Sequence, residues 1–309
     1  MRKLVRNGLL SLQNELSEQL SSSDDKAPFK TFDWNQSAGS SGISKIIEGG
    51  EHIEYGALSF SEVKAVCKPQ LMKELKLLPH ADGSMPHFFS TSLSVVMHPQ
   101  SPMMPIMHMN LRYFESFFPD QADDTDNLWW FGGCMDLTPH YVSEADAKFF
   151  HEQLKSRCDL HDPGSYQKFK AAADEYFYLR HREESLGIGG IYFDQLTEEY
   201  GQQRESRWNF IKSIGKAYFP IYGELFERNK KRQYGTNEKQ WQLLRRGRFV
   251  EFNLIYDRRT KFVIQTDRKG SQGLMALPPT AKWNYHFEVM HDSEEAKTLA
   301  VLKSQQNWI

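Results

Sequence analysis

The hydrophobic period changes along the chain. Leu9, Leu12, Leu16 and Leu20 recur three and four residues apart, with Glu15 and Glu18 on the polar side. That is the stripe of an amphipathic helix over residues 1–20 that packs on a domain. Arg2, Lys3 and Arg6 precede it, a start that a transit peptide would share, but the acids favour a helix of the mature fold. Residues 21–25, Ser-Ser-Ser-Asp-Asp, read as a solvated linker. Residues 43–48 and 53–60 then flank Gly49-Gly50, the pattern of two short strands about a tight turn. After an irregular stretch, the period becomes two. From Thr91 to His98 the odd positions are mostly apolar, while Ser92, Ser94 and His98 share the other face. From Met107 to Phe114 the alternation is stricter. Met107, Met109, Leu111 and Tyr113 face one way; His108, Asn110 and Arg112 form a polar row on the other, roughly 6.5–7 Å apart.

Helical patterns dominate the middle. Ser143-Glu144-Ala145-Asp146 opens a helix running to about Cys158, and a second spans about Ser165 to Arg182. Trp208, Ile211, Ile214, Tyr218, Tyr222 and Leu225 make the stripe of a long helix that contains Pro220. A shorter helix near Lys239–Leu244 is expected to stop at Gly247. Phe249–Tyr256 and Lys261–Thr266 then alternate about a polar turn and predict a hairpin. Hairpin-joined strands with helices grouped between them imply an α+β fold: one large antiparallel sheet flanked by helices on both faces. No composition break divides residues 1–309, which predicts a single domain.

Composition narrows the function. The chain has 309 residues with 38 basic and 40 acidic side chains, a net charge of −2, so no global electrostatic grip on nucleic acid is expected. No apolar run approaches the roughly 20 residues that span a bilayer. Cys67, Cys134 and Cys158 are odd in number and widely spaced, which argues against a disulfide framework and for a reducing, cytoplasmic setting. Aromatic residues make up 13%, enough for a core and for a flat hydrophobic ligand as well.

Three groups could carry chemistry. Arg112 beside His108 and Asn110 supplies a carboxylate clamp and a proton donor, with Ser94 and His98 on a neighbouring strand. Trp129-Trp130-Phe131-Gly132-Gly133-Cys134-Met135-Asp136 gives a stacking wall that runs into Asp136, flanked by apolar residues able to tune it. Alone, Asp136 would be an ordinary cap or turn aspartate. His98, His108, His151 and His181 could meet in space, but their spacings match no local metal motif such as H-E-x-x-H. A basic run, Arg245, Arg246, Arg248, Arg258, Arg259, Lys261, Arg268 and Lys269, is either a solvated hairpin or a site for a multiply anionic small molecule. Gly187-Ile188-Gly189-Gly190 lacks the spacing and preceding strand of a dinucleotide fingerprint.

Together these segments resemble the oxygen-dependent coproporphyrinogen III oxidases. The resemblance rests on His98-Pro99 through His108-Met109-Asn110-Leu111-Arg112-Tyr113-Phe114, on Trp129 to Pro139, on His181-Arg182 through Gly187-Ile188-Gly189-Gly190 to Asp194, and on Arg246-Gly247-Arg248-Phe249-Val250-Glu251-Phe252-Asn253-Leu254. It runs from about residue 90 to Trp308. The chain departs from the family pattern in several places. Cys134 stands at the third glycine of the Gly-Gly-Gly block, Leu186 at an arginine and Gln195 at a second aspartate. Asp267-Arg268-Lys269 stands at the substrate-loop Gly-Gly-Arg or Gly-Ser-Arg.

The resemblance implies oxidative decarboxylation of two propionates of coproporphyrinogen III to vinyl groups, giving protoporphyrinogen IX in haem biosynthesis. It implies O₂ as co-substrate and no organic cofactor. By the same resemblance Asp136 would engage pyrrole N–H groups, Arg112 would hold a propionate and His108 would donate a proton. Substrate contacts are expected at Ser94, Asn110, Leu111, Arg112, Asp267, Arg268 and Lys269. A divalent metal on His98, His108, His151 and His181 and a homodimer with its interface about Phe249–Asn284 are further implications. The competing reading is a non-catalytic tetrapyrrole carrier with the same pocket, which would bind porphyrinogen and release no CO₂.

Overall fold

Among the described residues, seven strands form one sheet in the order β1-β2-β3-β4-β5-β6-β9, and every neighbouring pair is antiparallel. The computed structural model describes the chain apart from residues 25, 37–38, 80–82, 119–126, 199–202, 259, 261–273, 286 and 305. The first six strands are a meander: β1 (Lys30–Gln36), β2 (Ser40–Glu48), β3 (Ile53–Val66), β4 (His87–Pro99), β5 (Ile106–Phe117) and β6 (Trp129–Thr138). A short helix α2 (Pro69–Leu75) lies in the stretch read as irregular. After β6 come helices α3 (Glu144–Asp159) and α4 (Ser165–Tyr176) and a small ribbon of β7 (Tyr178–Leu179) and β8 (Glu184–Ser185). The chain then returns as β9 (Gly190–Leu196) to pair with β6.

The alternation read from sequence becomes two differently used faces. Leu93, Val95 and Met97 of β4, Met107, Met109, Leu111 and Tyr113 of β5, and Phe131 and Met135 of β6 are buried in the larger core. There they meet helix α1 (Arg2–Ser21), whose Leu9, Leu12, Leu16 and Leu20 are all buried, together with α3 and α5 (Arg204–Asn229). The α5 stripe is buried as its spacing requires, and the Tyr218 hydroxyl donates to the Met107 carbonyl at 2.9 Å. On the opposite face a smaller core gathers Ala57, Val96, Ile106 and Cys134 with Phe177, Leu179, Leu186, Phe249 and Phe252. Helix α6 (Thr236–Glu251), a π-helical turn (Phe252–Tyr256) and α7 (Glu294–Leu302) complete the elements used below. An antiparallel sheet with helices on both faces is therefore what the chain forms.

Three local expectations change. Residues 249–256 are helical, not a hairpin strand, and α6 runs through Gly247. A β-carbon at Gly247 would lie 2.7 Å from the Lys282 carbonyl, so this glycine admits the crossing Lys282 backbone and the Trp283 ring and does not end the helix. Trp241, Leu244, Phe249 and Phe252 also recur at helical spacing, and both periods fit so short a run. The second expected strand, Lys261–Thr266, lies outside the described residues, as does Asp267-Arg268-Lys269. The basic cluster is neither solvated nor open to an anion at its first three members. Arg246 is fully buried and donates to Glu54 (2.7 Å) and to the Pro99 carbonyl (2.9 Å). Arg245 donates to Glu184 (2.7 Å), and Arg248 lies 3.3 Å from Glu184. They fasten α6 to the sheet and to β8. Helix α4, expected to reach Arg182, ends at Tyr176, and the β7–β8 ribbon follows.

The supposed linker holds a buried anion. The Asp24 carboxylate accepts backbone N–H groups of Glu51, His52 and Ile53, each at 2.9 Å, and of Lys26 at 3.1 Å. Burial alone would raise its pKa, but these donors outweigh burial and hold it below its ordinary 3.8. The end of α1 is thereby tied to the β2–β3 turn.

Candidate functional site

The polar row is carried by three adjacent strands in register. His108 of β5 lies opposite Asp136 of β6, Asn110 opposite Cys134, and Arg112 opposite Gly132, with Ser94 and Ser92 of β4 across from Asn110 and Arg112. β9 adds Tyr192 opposite Cys134. Because the period is two, the same strands that bury Met107, Met109 and Met135 against α1 and α5 turn these polar side chains to the other face. Asp136 is thus an interior strand residue and not a cap.

His108 and Asp136 form a close pair, Nδ1 to Oδ1 at 2.7 Å, with Asp136 almost wholly buried and the imidazole 20% exposed. Burial raises the Asp136 pKa, against the pull of His108. Burial also works against a charged His108, but Asp136 and Cys134 overcome it, so the ring titrates well above the usual imidazole range. The pair as a unit retains a proton through neutral pH. Cys134 Sγ lies 3.9 Å from the same imidazole nitrogen.

Asn110 is 4% exposed, and both its amide oxygen and its amide nitrogen lack a hydrogen-bond partner. A buried amide with both polar atoms unpartnered is uncommon in a folded protein, and its bonds are met by water or by a ligand. Arg112 faces Asp194 of β9 at 2.9 Å, both about 30% exposed, and donates to the Tyr192 hydroxyl. Gly132 makes room for this pair, since a β-carbon there would lie 2.5 Å from Arg112 Nε. Beyond Arg112, Phe88, Phe114 and Trp130 stack across β4, β5 and β6, with ring centroids 5.8 and 4.1 Å apart. These rings are half-buried. The site therefore offers an anion, an unpartnered amide and a guanidinium in a line beside an aromatic strip. Such a surface fits a large, flat, polycarboxylate ligand with N–H donors.

A family model for coproporphyrinogen III oxidase matches residues 4–308. The chain belongs to this family. It is 39% identical over 313 residues to an oxygen-dependent coproporphyrinogen-III oxidase of Drosophila melanogaster, a match covering 100% of this chain and 78% of the relative. A relative of the same name from Prochlorococcus marinus (strain MIT 9313) is 37% identical over 329 residues, covering 99% and 90%. A chloroplastic one from Glycine max is 38% identical over 309 residues, covering 99% and 78%.

The four histidines expected from the family to hold a metal are not brought together. His151 is a fully buried residue of α3, where Nε2 donates to the Ile188 carbonyl (2.9 Å) and Nδ1 accepts from the Tyr166 hydroxyl (2.8 Å). His181 has both ring nitrogens engaged, with Tyr256 (2.8 Å) and Glu251 (2.9 Å). His98 is fully buried on the face of the polar row, Nε2 donating to the Ala276 carbonyl at 2.9 Å. The residues present do not fit a four-histidine metal site, and no step of the chemistry below passes through one. Of the expected substrate contacts, Ser94, Asn110 and Arg112 share the face. The Leu111 side chain points into the opposite core, so only its backbone borders the row.

Sequence reasoning singled out Gly132 only for close backbone approach and Tyr192 and Asp194 only as part of a family block, and missed that the three position Arg112. Their signal was available only as parity: Gly132 lies two strand periods before Asp136. The pairing of β6 with β9 spans two helices and leaves no local trace.

Proposed function

We propose that this chain catalyses the oxygen-dependent decarboxylation of two propionates of coproporphyrinogen III to vinyl groups, yielding protoporphyrinogen IX. Each propionate loses CO₂ and two hydrogens, and two-electron reduction of O₂ to hydrogen peroxide balances each step. Family membership supports the activity. The observation that carries it to particular residues is the row itself, with Asp136, the unpartnered Asn110 amide and Arg112 in line on one sheet face. Asp136 accepts pyrrole N–H groups and stabilises positive charge that develops as the electron-rich ring is oxidised. Asn110, with neither amide atom bonded to the rest of the protein, exchanges hydrogen bonds with the substrate. Arg112, presented by Asp194 and Tyr192, holds a propionate, and Ser94 borders it. His108, kept protonated by Asp136, supplies a proton to reduced oxygen. Asp267, Arg268 and Lys269 complete the propionate contacts in this reading, and no organic cofactor is required.

The enzyme works as a homodimer in this reading. The exposed Leu254, Ile255, Leu274, Trp283 and Met290, all within or next to the Phe249–Asn284 region, support that surface as its interface. No helix among the described residues is long and apolar enough to cross a membrane. The described cysteines are free and buried, in keeping with a cytoplasmic enzyme in a reducing compartment.

The test is an assay with coproporphyrinogen III, run with and without O₂, following CO₂ and product fluorescence after oxidation. Turnover in air and none under anaerobiosis is expected. Binding of porphyrinogen without CO₂ release in air would assign a carrier instead.

A further inference from the structure

Cys134 stands where the resemblance to the family leads one to expect a glycine, and its thiol enters the polar face next to the His108–Asp136 pair. The His108 ring nitrogen, the Cys134 sulfur and an Asp136 carboxylate oxygen all lie within 4.8 Å of one another. One face of the sheet supplies all three, Asp136 from directly opposite His108 and Cys134 from two positions earlier on β6. We infer that these residues form a binding site for a zinc-class divalent cation, which closes the site to porphyrinogen when filled.

The donor set argues for that class of ion. A thiolate, an imidazole and a carboxylate are the ligands zinc takes, with an exogenous water or ligand completing a tetrahedron. Hard cations such as Mg²⁺ want oxygen donors and gain nothing from the sulfur. Zinc–ligand bonds of about 2.0–2.3 Å set the tetrahedral N···S edge at about 3.5 Å. The distance here is 3.9 Å. The 2.7 Å contact between His108 and Asp136 is a hydrogen bond; the metal replaces its proton, and the pair opens by about half an ångström to a tetrahedral edge. Asn110, buried and with both amide atoms unpartnered, lies opposite Cys134 and can bond a metal-held water. Neutral hydrogen bonding alone leaves the cysteine with only a weak S–H contact. Inhibition by the metal rests on the reading of this face as the oxidase centre; binding does not.

The experiment uses the full chain, freed of metal by chelation, and Co²⁺ as a spectroscopic stand-in for Zn²⁺. Titration with Co²⁺ should raise the near-ultraviolet thiolate-to-cobalt charge-transfer band, which Zn²⁺ then displaces. Cys134→Ala and Cys134→Gly should abolish the band, and His108→Gln and Asp136→Asn should weaken Zn²⁺ binding at least about a hundredfold by calorimetry. Zn²⁺ should inhibit turnover competitively with coproporphyrinogen, each variant being referred to its own metal-free rate. The inference is overturned by absence of the band, or by its persistence in both Cys134 variants. A band without turnover in any metal-free sample keeps the metal site and refutes the oxidase reading instead.

Discussion

Asp136 and Arg112 stand on the same face, yet their substitution should fail differently. Asp136→Asn keeps the shape and removes the anion, so turnover should fall by roughly 10²–10⁴-fold while porphyrinogen binding changes far less. Arg112→Ala removes a guanidinium already oriented by Asp194, so KM should rise along with the loss in kcat. Steady-state kinetics on both variants checks this, and near-normal kcat in Asp136→Asn would refute the role given to the carboxylate. His151 belongs to a different problem. Burial, with Lys170 adding to it, lowers its pKa to about 4 against the usual 6.5, and its two hydrogen bonds specify the neutral ring. Between pH 6.5 and about 4 the unfolded chain therefore binds a proton that the folded one refuses, and stability drops as pH falls through that window. Urea unfolding across the window should show His151→Gln less stable at neutral pH but shallower in its pH dependence, by up to about one proton. At this scale the sequence was legible wherever strand parity decides the matter: His108, Asn110 and Arg112 share a face because nothing else fits alternate residues. It was illegible at Asp24, where a Ser-Asp run has the composition of a linker and only the folded turn supplies the four N–H groups that hold the carboxylate.

Elements were legible in proportion to their length and regularity. Helix α1 and helix α5 show their buried stripes in full, and β4 and β5 need only small extensions at their ends. Residues 249–256 were not, because Phe252, Leu254 and Tyr256 alternate at period two while Phe249, Phe252 and Tyr256 recur at helical spacing, and the Lys282 carbonyl and Trp283 ring that meet Gly247 come from far along the chain. Gly247→Ala should therefore destabilise by about 1–3 kcal/mol, although alanine is the better helix former, because its β-carbon overpacks that crossing. A gain in thermal midpoint would show that the crossing relaxes at no cost. Strand β6 makes a comparable demand at Gly132. There the obstructing atoms are the ends of Arg112 and Asp194, so Gly132→Ala should disturb the ion pair more than the fold. Raised KM with an unfolding midpoint close to wild type is the expected result.

Across the whole molecule, the sheet separates stability from chemistry. One face buries the larger core against α1, α3 and α5; the other is covered by α6 and the π-turn at the end holding Val96 and Ile106, and carries the polar row and the stacked rings beyond it. This division was foreseeable from an antiparallel sheet with polar residues on alternate positions. The partner of Arg112 was not, since it comes from a strand paired across two helices. The exposed apolar residues of 254–290 are expected to be covered by a second copy of the chain. Sedimentation at micromolar concentration should give a dimer, and Ile255→Glu should shift it toward monomer; a wild-type monomer under those conditions would refute the interface.

The return of β9 to the edge of β6 also fixes an order of events during synthesis. Strands β1 to β6 can zip together as they are made, each onto the one before, so the His108–Asp136 pair is available early. Until α3, α4 and the β7–β8 ribbon have followed, β6 keeps one flank of backbone donors and acceptors open, a template for joining other chains. Asp194 arrives only with β9. A nascent or partly refolded chain can therefore possess its proton-holding pair while its arginine is still unaimed, and closure of that last seam both covers the open edge and brings Asp194 to Arg112.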